Sequence, residues 1–198
     1  MEQVETGSYI SIGLVFNGRE FISKEKTIDT VLLTLKKNGA QIKNCKYSKD
    51  PDGENWITIE INEILNSNNL SQILVNNFNG NISILLPCND CGLTAIFSFH
   101  NIDEDYFGIL IEIPERQLLS YNSDNVAEAE EWAINMISLL YNSAPFSYSF
   151  CDNEAEIEYS LEDLADKIET AYSLTVIPEK EGLQLIKNAW FIDGLTKR

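Results

Sequence analysis

The stretch that decides the fold is residues 82–113, ISILLPCNDCGLTAIFSFHNIDEDYFGILIEI. It contains three apolar runs, Ile82–Leu86, Leu93–Phe99 and Phe107–Ile113, separated by turn residues. Apolar runs of this length, bounded by Pro and by Asn/Asp/Gly clusters, are typical of β-strands joined in sequence. We therefore predict an antiparallel meander at the centre of the chain.

Helices and strands alternate on both sides of this meander. On the N-terminal side the patterns predict strands at 9–16, 41–47 and 56–61 and helices at 27–38 and 64–75. On the C-terminal side they predict a long helix capped by Ser123 or Asp124, a hairpin over 146–159, a helix capped by Ser160, a strand at 174–177 and a short amphipathic element at 183–190. Together these elements predict one α+β domain over residues 1–198, with a largely antiparallel or mixed sheet packed with helices.

Acidic residues are concentrated in one third of the chain. The formal net charge is −17, and residues 101–170 contain seventeen Asp and Glu against two basic residues, Arg116 and Lys167. Such a block attracts a basic partner and repels nucleic acid and anionic membranes. We therefore predict a protein partner and exclude nucleic acid and membrane as partners.

Two acidic stripes stand out within this third. Period-two alternation predicts that Glu154, Glu156 and Glu158 share one face of a strand, about 7 Å apart. The helix that follows would carry an outer acidic row at i, i+4 and i+7. With two bordering aromatics as anchors, the predicted partner-binding residues are Glu154, Glu156, Glu158, Tyr159, Glu162, Asp166, Glu169 and Tyr172. The alternative interpretation is a solvated face, or glutamates that protect a sheet edge against aggregation.

The most motif-like stretch is Cys88-Asn89-Asp90-Cys91-Gly92. A Cys-x-x-Cys-Gly turn resembles half of a zinc ribbon, but a structural zinc site needs four ligands and no second pair exists. A redox pair would need a helix N-terminus, whereas strands flank this turn. We therefore interpret it as a hairpin turn and expect neither metal nor cofactor.

No set of residues specifies a reaction. His100 is the single histidine, and no nucleophile elbow accompanies it. The Asp103-Glu104-Asp105 run lacks the ligand spacing of a calcium loop, because its twelfth position is Pro114. We expect no catalytic residues and no enzymatic activity.

The location follows from what the sequence lacks. No run of about 18 apolar residues is present, which argues against a membrane span. The N-terminus Met1-Glu2-Gln3-Val4-Glu5 is acidic and has no apolar signal region. We therefore expect a cytoplasmic protein with reduced cysteines.

Two segments resemble a known class of protein. The strand 7–18, GSYISIGLVFNG, and the helical run 131–141, EWAINMISLLY, are similar to those of bacterial polymorphic-toxin immunity proteins. The resemblance implies a small cytosolic protein encoded beside a toxin, often a basic nuclease, which it binds and blocks without catalysis. A regulatory or structural interaction protein without a toxin remains the alternative, followed by a small enzyme.

Overall fold

The computed structural model describes residues 7–19, 23–61, 67–87, 92–121 and 125–198. Within these ranges nine strands form one sheet, in which every pair of neighbours is antiparallel. The strands are β1 (Tyr9–Asn17), β2 (Gln41–Ser48), β3 (Trp56–Glu60), β4 (Asn79–Leu86), β5 (Leu93–Asn101), β6 (Tyr106–Pro114), β7 (Tyr148–Asn153), β8 (Leu174–Glu179) and β9 (Gly182–Lys187). Their order across the sheet is β3-β2-β4-β5-β6-β1-β7-β8-β9.

Helices are few in the described chain. They are α1 (Lys24–Lys37), α2 (Ser67–Asn76), α3 (Glu115–Tyr121), α4 (Val126–Tyr141) and α5 (Leu161–Ala165). The predicted meander is confirmed as β4-β5-β6, with Ile82 opposite Phe97 and Phe97 opposite Ile111. The predicted helix caps Ser123 and Asp124, and the first part of the predicted 64–75 helix, lie outside the described residues.

The α+β prediction is wrong, because the chain is built on one large antiparallel sheet rather than on a sheet balanced by helices. Two elements of the C-terminal part differ from a helix-balanced arrangement. The amphipathic element at 183–190 is the edge strand β9, which uses the hydrogen-bonding groups that β8 presents along its side. The helix after Ser160 ends after five residues at Ala165.

One face of the sheet holds the main core. The even-numbered residues of β1, from Ile10 to Phe16, pack there with buried residues of α1 to α4. Helix α1 follows from two local sequence signals. Ser23 caps its N-terminus, and Ile28, Val31 and Leu35 form its buried stripe. The prediction of this helix is therefore confirmed.

The opposite face of the sheet is covered by a long connecting segment. The connection between β7 and β8, residues 154–172, crosses over β6, β1 and β7 as a long segment that we call the strap. Val15, Leu110 and Phe150 point from the sheet into a second, smaller core, which the strap closes with Leu164 and Tyr172. The acidic residues predicted to bind a partner all belong to this strap.

None of the helices in the described ranges is long and apolar enough to cross a bilayer.

The sheet makes one prediction about unfolding. One sheet contains strands from residue 9 to residue 187, and β1 lies between β6 and β7. We therefore expect thermal or urea unfolding to be a single cooperative transition. Trp fluorescence and far-ultraviolet circular dichroism should give coincident curves, since Trp56, Trp132 and Trp190 sample both halves of the chain. Two separated transitions, or a stable proteolytic fragment ending near Asn122, would show instead that the chain contains two domains.

Candidate functional site

The strap begins with a sharp change of direction at Glu154. This residue has a φ of 49° and its N–H donates to the carbonyl of Tyr9 at 2.8 Å. The chain thereby leaves the sheet, and residues 155–160 pair with no described strand. The predicted return strand of a hairpin is therefore wrong: β8 occupies the side of β7 that the return strand would need.

The alternation that suggested a strand is nevertheless real. Glu154, Glu156 and Glu158 are exposed, whereas Ala155 and Ile157 are half-buried and belong to the second core. An extended segment lying flat on a sheet has the same period of two as a paired strand. The three carboxylates consequently share the outer side of the strap, as they would on a strand.

Two buried phenols fix this part of the strap through its backbone. The Tyr148 hydroxyl donates to the carbonyl of Tyr159 at 2.6 Å, and the Tyr172 hydroxyl donates to the carbonyl of Glu156 at 3.1 Å. Burial raises the pKa of Tyr172 to about 12 and raises the pKa of Tyr148 further, so both remain protonated donors at neutral pH. These hydrogen bonds hold the outward orientation of the glutamates.

Two glycines make room for the strap and its support. A Cβ at Gly108 would lie 2.5 Å from Ile157 Cδ1, and a Cβ at Gly13 would lie 2.1 Å from the Phe150 ring. The Phe150 ring stacks on Tyr172 with their centroids 3.9 Å apart. Glycine at both positions therefore lets a large side chain lie directly on the backbone of the sheet.

The rest of the acidic row lies beyond Ser160, whose hydroxyl accepts from the N–H of Asp163 at 3.2 Å and caps α5. Glu162, Asp166 and Glu169 are all exposed. They do not form one helical stripe, because Asp166 is already the C-cap of α5. All six predicted acidic residues are exposed on the strap, and we call them together the acidic surface of the strap.

The strap carboxylates also raise the pKa of two residues on β6. Burial raises the pKa of Glu112 on β6, and the nearby Glu156 carboxylate raises it further. Burial and a hydrogen bond to Glu162 raise the pKa of Tyr106 to about 12. The effect of Glu156 on Glu112 indicates that the strap carboxylate lies close enough to β6 to interact with it electrostatically.

The two aromatics that were predicted as anchors differ in exposure. Tyr159 is half-buried, with Lys167 Nζ 4.4 Å from its ring centroid, and it meets Tyr172 edge-on at 6.1 Å. Tyr172 is 4% exposed and lies beneath the strap. The phenol of Tyr172 therefore supports the acidic surface from below.

A second electrostatic cluster was not predicted from the sequence. Glu130 of α4 is 1% exposed and is held by Lys187 Nζ at 2.7 Å and by both terminal nitrogens of Arg198. It borders an open cleft of about 330 Å³ between α4 and β9. Because both carboxylate oxygens are already bound, this cluster is a structural clamp between α4, β9 and the C-terminal segment.

The other sequence motifs have local roles or lie outside the described residues. Asp103 Oδ1 accepts from the N–H groups of Asp105 and Tyr106 at 2.7 Å and closes the β5–β6 turn. His100 Nε2 lies 2.8 Å from the Ser98 hydroxyl. Cys88 and Cys91 lie outside the described residues, and among those that are described no group of three or more His, Cys, Asp or Glu could hold a metal ion.

Comparison with known proteins identifies the family. A solved structure, that of a T6SS protein from Pseudomonas aeruginosa, aligns with 74% of this chain at 6% identity and a TM-score of 0.41. The alignment covers 40% of that protein's own chain. No curated protein matches the sequence. The sequence model of the family described as Immunity protein 64 matches residues 6–198, which confirms the predicted resemblance to immunity proteins. The chain therefore belongs to the Immunity protein 64 family.

Proposed function

We propose that this immunity protein blocks a basic protein toxin by binding it through the acidic surface of the strap. The observation that carries the proposal is the charge of the strap itself. Residues 154–172 contain seven acidic residues and a single base, Lys167. The carboxylates at 154, 156, 158, 162, 166 and 169 belong to exposed residues.

The support beneath the strap favours binding over simple solvation. A solvated acidic loop needs no fixed geometry, whereas here two buried phenols and a stacked Phe150–Tyr172 pair hold its backbone on the sheet. A field fixed before the partner arrives costs little ordering entropy on binding. It also steers a basic partner into register during encounter.

The acidic surface suits a toxin that cleaves nucleic acid, and the basic groove of such a toxin is the surface that it would cover. A toxin that cleaves nucleic acid needs a basic groove for its substrate. A fixed row of carboxylates competes for that groove, so binding and inhibition coincide. Six of the seven exposed acidic residues of the strap, those at 154, 156, 158, 162, 166 and 169, are the proposed contacts. Tyr159 and Tyr172 support them, and the complex forms in the cytoplasm of the producing cell.

The test uses the toxin encoded beside this protein and the triple variant Glu154→Gln, Glu156→Gln and Glu158→Gln. Glutamine keeps the shape of each side chain and removes its charge. Stopped-flow association at low salt should slow by about tenfold or more, while dissociation changes less. The dependence of the association rate on salt should flatten, and co-expressed cells should lose protection.

A matched control separates the local field from net charge. The variant Glu54→Gln, Glu179→Gln and Glu181→Gln removes three charges from exposed residues off the strap. It should associate nearly as fast as the wild-type protein. Equal rates and equal protection for wild type and the strap variant would exclude the strap as the binding site, even if the toxin still binds elsewhere.

A further inference from the structure

One edge of the sheet has few of the usual protections against pairing. Strand β3, Trp56-Ile57-Thr58-Ile59-Glu60, pairs with β2 on one side, and within the described ranges no strand lies on its other side. Edge strands are commonly protected by short length, charged side chains, Pro or a bulge. β3 is short and ends in Glu60, but it has no Pro or Lys and its register with β2 is regular.

The opposite edge is treated differently. Strand β9 begins at a turn glycine, Gly182, with a φ of 142°, and its Lys187 side chain is bound to Glu130. The residues after β9 fold back on themselves, with a bridge between Trp190 and Lys197. The two edges therefore differ in the devices that prevent association.

Exposed apolar side chains gather at the β3 end of the sheet. Trp56, Ile57 and Phe78 are 48%, 41% and 70% exposed. Ser48 of β2 lies opposite Trp56 on one side and opposite Asn79 on the other, so Trp56 and Phe78 share one end of three adjacent strands. Ile57 projects from the opposite face of β3, so both faces of this edge carry an exposed large apolar side chain.

The charge at this edge suits a second copy of the chain. The β2–β3 region, residues 41–61, contains three Lys and four acidic residues, a net charge of −1 in a chain of −17. Two copies of so acidic a protein repel each other least where their own charge is nearly balanced. A strongly basic partner would gain little from this region.

We propose that two copies of this chain pair along β3, antiparallel, about a twofold axis at Thr58. The sequence of β3 is self-complementary in this register: Ile57 of each copy lies opposite Ile59 of the other, and Trp56 lies opposite Glu60. Apolar pairs then meet on one face, and the two Glu60 carboxylates stay apart. The contact is isologous and closes, so it forms a dimer rather than a fibre.

The dimer leaves the strap accessible. Strand β3 is four positions from β6 in the sheet, about 20 Å at the usual strand spacing. The pairing is therefore independent of toxin binding, and a dimer would present two strap surfaces. Failure of either proposal leaves the other intact.

Sedimentation equilibrium of the purified protein tests the pairing. The wild-type chain should shift with concentration from the monomer mass of 22.4 kDa to twice that value. Ile57→Lys should abolish the shift, because it places a charge in the apolar pair. Leu185→Lys on β9, at a residue 43% exposed against 41% for Ile57, should dimerise as the wild type does.

A cysteine at the axis provides a second measurement that does not weaken the contact. Thr58→Cys should form a disulfide-linked dimer on mild oxidation, far faster than the wild-type protein with its own four cysteines. A wild-type mass that stays at one chain at every concentration would overturn the proposal. Loss of the dimer by Leu185→Lys instead of Ile57→Lys, or no crosslink at Thr58→Cys, would also overturn it.

Discussion

Replacing Lys187 and Arg198 together by methionine should lower the free energy of unfolding by about 3–5 kcal/mol. Both cations bind the carboxylate of Glu130, which is 1% exposed. Methionine keeps much of the apolar volume of each side chain but leaves a buried charge without a partner. Urea denaturation followed by circular dichroism measures the loss.

The cause of that loss can be isolated by adding Glu130→Gln. If the uncompensated charge is responsible, the triple variant should recover a substantial part of the stability, because an amide is far less costly to bury than a carboxylate. Arg19→Met is the surface control, since Arg19 and its partner Asp105 are 72% and 36% exposed and the ion pair is largely screened. Equal stability for the double and triple variants would show that the cluster acts through packing rather than charge.

The ion pairs of Glu130 are a feature that a single sequence does not predict. Glu130 lies near the start of α4, where a carboxylate is favourable next to the helix dipole, and the pattern gives it no further role. Its partner Arg198 is 68 residues away along the chain. Contacts over such distances depend on the whole fold, so residue spacing does not predict them.

Local signals did predict most of the strands. The meander follows from three bounded apolar runs, and the start of α5 follows from the Ser160 cap. The strap shows where such signals fail. Alternating side chains after a turn are the same whether a segment pairs beside β7 or crosses the face of the sheet, and only the position of β8 decides between them.

The sequence therefore predicts which acidic residues of the strap are exposed, but it does not predict the residues that support them. The exposed glutamates of the strap can be read from period-two alternation. The residues beneath them could not be, because Gly13 and Gly108 come from β1 and β6, far from the strap in sequence. A glycine in a strand interior is the one available signal, since it often marks the close approach of another group.

Phe150→Ala should cost about 3–5 kcal/mol and should loosen the strap before the rest of the fold. Phe150 is fully buried, lies over Gly13 and stacks on Tyr172 at 3.9 Å. Its removal leaves a cavity beside Tyr172, whose hydroxyl donates to the carbonyl of Glu156. Amide hydrogen exchange should therefore accelerate in residues 154–172 more than in β4 and β5.

Phe150→Ala also tests whether the packing under the strap affects toxin binding, because it changes no charge. If the strap binds the toxin as a preorganised surface, Phe150→Ala should weaken binding by increasing the ordering cost of the complex. Phe97→Ala is the matched control: Phe97 is also fully buried, but it packs in the core on the helix side of the sheet. It should lower stability by a similar amount, with toxin affinity nearly unchanged at temperatures where both variants are folded. Equal affinities for the two variants, or accelerated exchange spread evenly over the sheet, would show that the phenyl ring stabilises the fold without positioning the acidic surface.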